Sequence, residues 1–156
     1  MLECKEVTWF PSYGAEIRGG TANCTVIISD ALIGSPVVMN PDILIVMSDA
    51  SLNRFLPRLK QDGFLLFDSS LIQETNLRDD IEITGVPATE IASKIGDTKS
   101  ANMVMLGALI AKTSLLHKKT VFEAIVNSMP ERKKKSIEDN KKAVIEGMRF
   151  IEDKKS

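Results

Sequence analysis

Two runs, residues 42–47 and 64–67, most constrain what this chain can fold into, and both are continuously apolar after Asp42 at the start of the first. Each has the length of a β-strand, and neither alternates apolar with polar positions as a half-exposed strand does. Such runs are typical of parallel strands that are covered on both faces. A third strand is predicted over residues 81–86, and helix signals separate the runs. The sequence therefore predicts an α/β protein.

The helix signals are capping residues and prolines. Ser48 is predicted to cap a short helix over residues 49–56, and Pro87 is expected in the first turn of the next one. Thr120 is predicted to cap a later helix over residues 121–129, with Glu123 completing a capping box.

Residues 100–113 predict a buried helix whose small side chains, Gly107 among them, allow a neighbour to approach closely. A last helix is expected to begin at Pro130 and to continue through Ile151. The carboxyl-terminal part of the chain is therefore predicted to be helical.

Two further strands are predicted near the amino end. The first covers residues 7–10 and is expected to end at Pro11, which has no amide hydrogen for a ladder bond. In the second, apolar and polar positions alternate, which predicts one buried face. Cys4 and Cys24 lie in or beside these apolar segments, so both are predicted to be small buried hydrophobes with no disulfide between them. The apolar face of the second strand is Ala22, Cys24, Val26 and Ile28.

Composition excludes several classes of function. The chain has 156 residues, enough for one well-buried domain, and 20 basic side chains balance 21 acidic ones. Neither a nucleic acid nor an anionic membrane is therefore an expected partner. No apolar run reaches the roughly 20 residues that a bilayer requires, and no secretory leader opens the chain, so a cytoplasmic location is expected. The basic run 132–135 is interpreted as a solvated face, and His117 as a surface residue.

The segment 12–20 is the most specific loop in the sequence. Its glycines suit positive φ or close approach to another surface, and Arg18 offers a fork for a carboxylate or a phosphate. Two interpretations stay open: an interface or ligand loop, or a tight turn held by a contact between Glu16 and Arg18. The candidate contact residues are Tyr13, Gly14, Glu16, Arg18, Gly19 and Gly20.

Two polar residues occupy positions where α/β proteins place binding groups. Asp68 follows a strand and Asn102 begins a helix. The alternatives are a capping or turn aspartate and an ordinary asparagine at a helix start. Gly19 and Gly20 precede a strand, whereas a dinucleotide fingerprint opens a helix. No metal spacing, nucleophile elbow or P-loop is present, so no catalytic or metal-binding residue is predicted.

Residues 7–24 resemble the hallmark segment of the gamma subunit of 2-oxoacid:ferredoxin oxidoreductases. Residues 33–36, 41–42, 87–92 and 101–108 are similar to later landmarks of that family, in the same order. The resemblance implies a three-layer α/β/α fold with a mostly parallel sheet and a helical carboxyl-terminal part. Residues 1–156 would form a single gamma-type domain, and the strand, glycine-rich turn and helix that open family members are expected to be missing.

The resemblance also implies a function. Such a subunit belongs to an enzyme that oxidises a 2-oxoacid to an acyl-coenzyme A, releases carbon dioxide and passes electrons to ferredoxin. Its expected partners are the alpha, beta and ferredoxin-like subunits, with 2-oxoglutarate or a branched-chain 2-oxoacid as substrate. Thiamine diphosphate, magnesium, iron-sulfur clusters and coenzyme A belong to the whole complex, and the isolated chain is expected to hold none of them and to be inactive. A non-enzymatic interaction module, a small-molecule-binding domain and a homodimer of the isolated chain remain alternatives.

Overall fold

The computed structural model describes residues 3–13, 22–73, 77–130 and 134–155. Five strands and five helices follow one another in the described parts of the chain, with short 3-10 turns at Leu56–Arg58 and Thr98–Ser100. The elements in chain order are β1 (Glu6–Tyr13), β2 (Ala22–Ser29), β3 (Ile43–Val46), α1 (Asp49–Phe55), β4 (Phe64–Asp68), β5 (Glu82–Val86), α2 (Ala88–Ile95), α3 (Ala101–Thr113), α4 (Lys118–Ser128) and α5 (Lys134–Lys155).

Strands β3, β4 and β5 form a parallel sheet in that order. The central strand β4 is buried at all five positions, as its continuous apolar sequence predicts. Ile43 lies opposite Phe64, and Phe64 lies opposite Glu82, so the strands run in register from one end of the sheet. The predicted α/β class is confirmed.

Side chains of β4 point alternately to the two faces of this sheet. Phe64 and Leu66 pack with Val86 and with the buried residues of α2, α3 and α5. Leu65 and Phe67 pack on the other face, against Leu52 of α1 and two loop residues, Leu59 and Ile72. Helices and loops therefore cover both faces, and the expected three-layer arrangement with a helical carboxyl-terminal part is confirmed.

Helices α3 and α5 approach each other closely through glycines. A Cβ added to Gly107 would overlap the carbonyl oxygen of Val144, and one added to Gly147 would overlap that of Val104. Each helix thus offers a glycine where the backbone of the other passes. The predicted close approach along residues 100–113 is confirmed, and it lets α3 be buried between the sheet and α5.

Strands β1 and β2 form a separate antiparallel ribbon. The prediction that Pro11 ends the first strand was wrong, because β1 continues to Tyr13 and pairs Pro11 with Cys24. A two-stranded ribbon has a free side on each strand, and a proline whose missing amide hydrogen faces that side costs no ladder bond.

The start of α4 also differs from the prediction. The helix begins at Lys118 with His117 as its cap residue, so Thr120 lies inside the first turn and does not cap the helix. The carboxylate of Glu3 accepts a hydrogen bond from the backbone amide of His117 at 2.9 Å. A residue far away in the sequence therefore takes the place of a local capping box.

Three further predictions concern the starts of helices. Ser48 caps α1 by accepting a hydrogen bond from the amide of Ser51, as predicted. Pro87 precedes α2, which begins at Ala88, and does not lie in its first turn. The predicted start of the last helix, at Pro130 and Glu131, borders on residues 131–133, which lie outside the described ranges; Pro130 itself is not helical, and α5 is described over Lys134–Lys155. None of the described helices is long and apolar enough to cross a bilayer.

Candidate functional site

The register of the ribbon places most of its apolar side chains on one face, while Phe10 and Ile27 lie on the other. Val7 lies opposite Ile28, Trp9 opposite Val26, and Pro11 opposite Cys24. Residues directly opposite in an antiparallel pair share a face, and so do alternate residues along a strand. We call this surface the apolar ribbon face; its residues are Val7, Trp9, Pro11, Cys24, Val26 and Ile28.

Much of the apolar ribbon face is open to solvent. Trp9 is 61% exposed and Val26 is 52% exposed, and Val7 is also exposed. Cys4 and Cys24 are free thiols, as predicted, but both are exposed, so the prediction that they are buried was wrong. Alternation correctly predicts that Cys24 and Val26 share a face, but no other described element packs over that face to bury it.

The candidate loop continues from this ribbon. Tyr13 is the last residue of β1 and pairs with Ala22, the first residue of β2. The two ends of the segment between them are therefore held side by side. Gly14, Glu16, Arg18, Gly19 and Gly20 lie outside the described residues.

The other candidate, Asn102, does not belong to the ribbon. It is exposed on the second residue of α3, in the part of the fold that contains the parallel sheet. Asn102 and Tyr13, the described residue of the candidate loop, therefore lie on different elements. Trp9 and Val26 were not predicted as contact residues. The alternation of apolar and polar residues in the strands on both sides of the loop could have indicated them.

Asp68 has a structural role in the described chain. Its carboxylate is fully buried and accepts hydrogen bonds from the amides of Ser70 and Ala88, both at 3.0 Å. It also accepts from the amide of Thr89 at 3.2 Å and from the hydroxyl of that residue at 2.6 Å. Asp68 thus caps α2 from the end of β4, and the capping interpretation is confirmed.

Two polar contacts fix the base of the ribbon. Lys5 Nζ lies 2.8 Å from Asp30 Oδ1, and this hydrogen bond raises the pKa of Lys5. The pKa of Glu3 is lowered, first by a hydrogen bond from the Thr120 side chain and then by the one from the His117 amide. Glu3 therefore links the start of β1 to the amino end of α4, where a negative charge is favourable.

The described residues do not fit a metal or an iron-sulfur cluster. They contain no group of three or more His, Cys, Asp or Glu side chains that could hold a metal ion. An iron-sulfur cluster is usually held by four cysteine thiolates, and the whole sequence has two cysteines. No step of chemistry on such a group is assigned to this chain.

Comparison with known proteins identifies the family. The model of the family "Pyruvate ferredoxin/flavodoxin oxidoreductase" matches residues 1–150. The chain belongs to this family. Within the pyruvate ferredoxin/flavodoxin oxidoreductase family, the chain is similar to a 2-oxoglutarate synthase subunit KorC from Methanothermobacter marburgensis. The two are 41% identical over 125 residues, which are 76% of this chain and 67% of that protein.

Two further proteins are similar to this chain. The ketoisovalerate oxidoreductase subunit VorA from Methanothermobacter thermautotrophicus is 40% identical over 109 residues, which are 70% of this chain but only 22% of VorA. The crystal structure of a keto/oxoacid ferredoxin oxidoreductase gamma subunit from Geobacter sulfurreducens has a TM-score of 0.76 and 31% identity. That match covers 96% of this chain and 82% of the other. The resemblance to gamma subunits of 2-oxoacid:ferredoxin oxidoreductases is confirmed.

Proposed function

We propose that this chain works as the gamma component of a 2-oxoacid:ferredoxin oxidoreductase and docks on another subunit through its apolar ribbon face. The complex would convert 2-oxoglutarate or a branched-chain 2-oxoacid to an acyl-coenzyme A and carbon dioxide, with electrons passed to ferredoxin. The names of the similar KorC and VorA subunits support these two substrate classes. We further propose that residues 1–156 act as one domain of a cytoplasmic complex.

The exposure of the apolar ribbon face carries the proposal. A contiguous apolar surface centred on an aromatic side chain is typical of a protein interface. Here Trp9 is 61% exposed, between Val7 and Pro11 on its own strand and beside Val26 on the partner strand. Burying this surface against another subunit would remove it from water at about 25 cal/mol per Å² of apolar area.

The loop next to the ribbon would then frame the active site. If the ribbon face is docked, Tyr13 and the following residues Gly14, Glu16, Arg18, Gly19 and Gly20 extend from a fixed pair of strands. We propose that Arg18 binds a carboxylate or phosphate group there and that the glycines let the backbone approach it. We propose Asn102 on α3 as a second contact residue. Other subunits would hold thiamine diphosphate, magnesium, the iron-sulfur clusters and coenzyme A.

The docking proposal is tested by tagging this chain in its native host and purifying the complex. Trp9→Ser is expected to reduce the yield of co-purified subunits at least tenfold, because the centre of the face loses its largest apolar side chain. Leu71→Ser is the matched control, since Leu71 is a half-exposed apolar residue just after β4 of the parallel sheet. Equal losses from both variants, or no loss from Trp9→Ser, would contradict docking through the ribbon.

The catalytic part of the proposal needs a separate readout. The purified complex is assayed for coenzyme A-dependent reduction of ferredoxin with 2-oxoglutarate, 2-oxoisovalerate and pyruvate, and the first two are expected to be the best substrates. Arg18→Ala is expected to lower turnover or subunit association, while unchanged values of both would exclude its assigned role. A stable complex that oxidises none of the three acids would favour the non-enzymatic interaction module.

A further inference from the structure

A second surface lies far along the chain from the ribbon, in an open groove beside α4 and α5. Its volume is about 580 Å³, and its walls are mostly apolar with lysines at the rim. We call it the lysine groove. Its main lining residues are Lys118, Lys119, Phe122, Val126, Asn127 and Lys141.

Two lysines from different helices converge on one aromatic ring in this groove. Lys118 Nζ lies 5.5 Å from the centre of the Phe122 ring, and Lys141 Nζ lies 5.7 Å from it. The aromatic ring attracts each ammonium group, but the two like charges repel each other. An anion bound between them would relieve that repulsion.

Three lysines and one acidic residue line the groove, and the carboxylate of Glu3 lies at the nearby amino end of α4. Glu123 is the acidic residue that lines the groove, and its carboxylate is 3.9 Å from the ammonium group of Lys119. Across the described ranges, neither Lys118 nor Lys141 forms an ion pair. The groove therefore has an excess of positive charge on an apolar floor.

The charge of this region differs from that of the whole chain. Residues 118–142 carry eight Lys or Arg and four Asp or Glu, although the full sequence has 20 basic against 21 acidic residues. Lys134 and Lys135, at the start of α5, are exposed and belong to this basic stretch. A local excess of positive charge on a nearly neutral protein favours a partner of the opposite charge and speeds their encounter.

We propose that the lysine groove binds an acidic amphipathic segment of another protein. Carboxylates of the segment would pair with Lys118 and Lys141, and an apolar side chain would cover Phe122 and the exposed Val126. Nucleic acid suits the groove less well. The overall charge of the chain is slightly negative, and the Phe122 ring on which a base could stack already carries two ammonium contacts.

The test measures binding of a labelled peptide to the full chain by fluorescence anisotropy. The probe is an amphipathic helical peptide of about 14 residues, with Glu on one face and Leu on the other, and a peptide of the same composition in scrambled order is its control. Binding in the micromolar range is expected for the amphipathic peptide. It should weaken at least tenfold between about 50 mM and 300 mM NaCl, because salt screens the ion pairs.

Charge reversal locates the binding site. Lys118→Glu with Lys141→Glu is expected to weaken peptide binding at least tenfold, whereas Arg58→Glu with Lys99→Glu changes the total charge equally on exposed residues elsewhere and should leave it within twofold. Circular dichroism checks that both variants fold. Amide chemical shifts give a readout that does not depend on a variant, with the largest changes expected at residues 118–127 and 141.

Three results would overturn the proposal. These are no peptide binding at 100 µM or so, equal affinity of the two double variants, and binding of a single-stranded oligonucleotide more tightly than the acidic peptide. Failure here leaves the proposed function untouched, because docking through the ribbon is measured with Trp9→Ser and not with any residue of the lysine groove.

Discussion

The antiparallel ribbon and the parallel sheet are built from similar apolar residues, yet their surroundings are opposite. In the sheet, Phe67 and Leu65 of β4 are completely buried between helices and loops. In the ribbon, Trp9 and Val26 are more than half exposed. The sheet therefore gains its stability within the chain, whereas the apolar side chains of the ribbon contribute little until another surface covers them.

This difference separates the part of the chain that holds the fold from the part that is available for contact. Substitutions of buried residues in the sheet and its helices should destabilise the isolated protein without revealing anything about partners. Substitutions on the apolar ribbon face should weaken binding to a partner and leave the stability of the isolated protein almost unchanged. Three predictions test whether the two regions are as different as their burial indicates.

The largest effect is expected from truncating a buried aromatic side chain. Phe67→Ala should lower the free energy of unfolding by about 3–5 kcal/mol, because it removes a fully buried ring and leaves a cavity. Trp9→Ala removes a larger side chain but should cost less than about 1 kcal/mol in the isolated chain, since the indole is already mostly in water. Urea denaturation of both variants gives the comparison, and similar losses would show that the ribbon is packed as tightly as the sheet.

A smaller loss is expected where α3 and α5 meet. Gly107→Ala places a methyl group against the backbone of Val144 and should destabilise the protein by about 2–3 kcal/mol, because neither helix can move without repacking the core. Gly34→Ala is the matched control, since an added Cβ there has no neighbour within 4 Å. Thermal unfolding measures both changes. If the Tm of Gly107→Ala stayed at the wild-type value, the two helices would have to be looser than their geometry shows.

The smallest effect concerns Glu3, which joins the ribbon to α4. Its pKa is lowered in the folded protein, so its charged form stabilises the fold above its ordinary pKa of 4.5, and this contribution disappears as the pH falls through the folded value. Glu3→Gln should therefore reduce the Tm slightly at pH 7, and the difference from wild type should narrow below about pH 4.5. A difference that grew on acidification would contradict the sign of the shift. Glu6→Gln, at an exposed residue of β1 that forms no ion pair within the described ranges, controls for the loss of one carboxylate.

Local patterns predicted most of the elements but not all of their ends. Unbroken apolar runs indicated β3 and β4, and Ser48 correctly indicated the start of α1. Pro11 and Thr120 misled for a common reason. A proline ends a strand only if its amide hydrogen would have formed a ladder bond, and Pro11 is paired with Cys24 inside the ribbon. A threonine caps a helix only if no other acceptor reaches the free amides, and here Glu3 accepts the hydrogen bond from the His117 amide.

The sequence by itself determined which residues share a strand face, which segments are apolar throughout, and which family the hallmark segment resembles. Only the tertiary structure decided that the face with Cys24 and Val26 is exposed while Asp68 is buried. Alternation is a property of one strand, but burial depends on what lies against it. No described element covers the apolar ribbon face, whereas the amino end of α2 surrounds Asp68 with donors from distant residues.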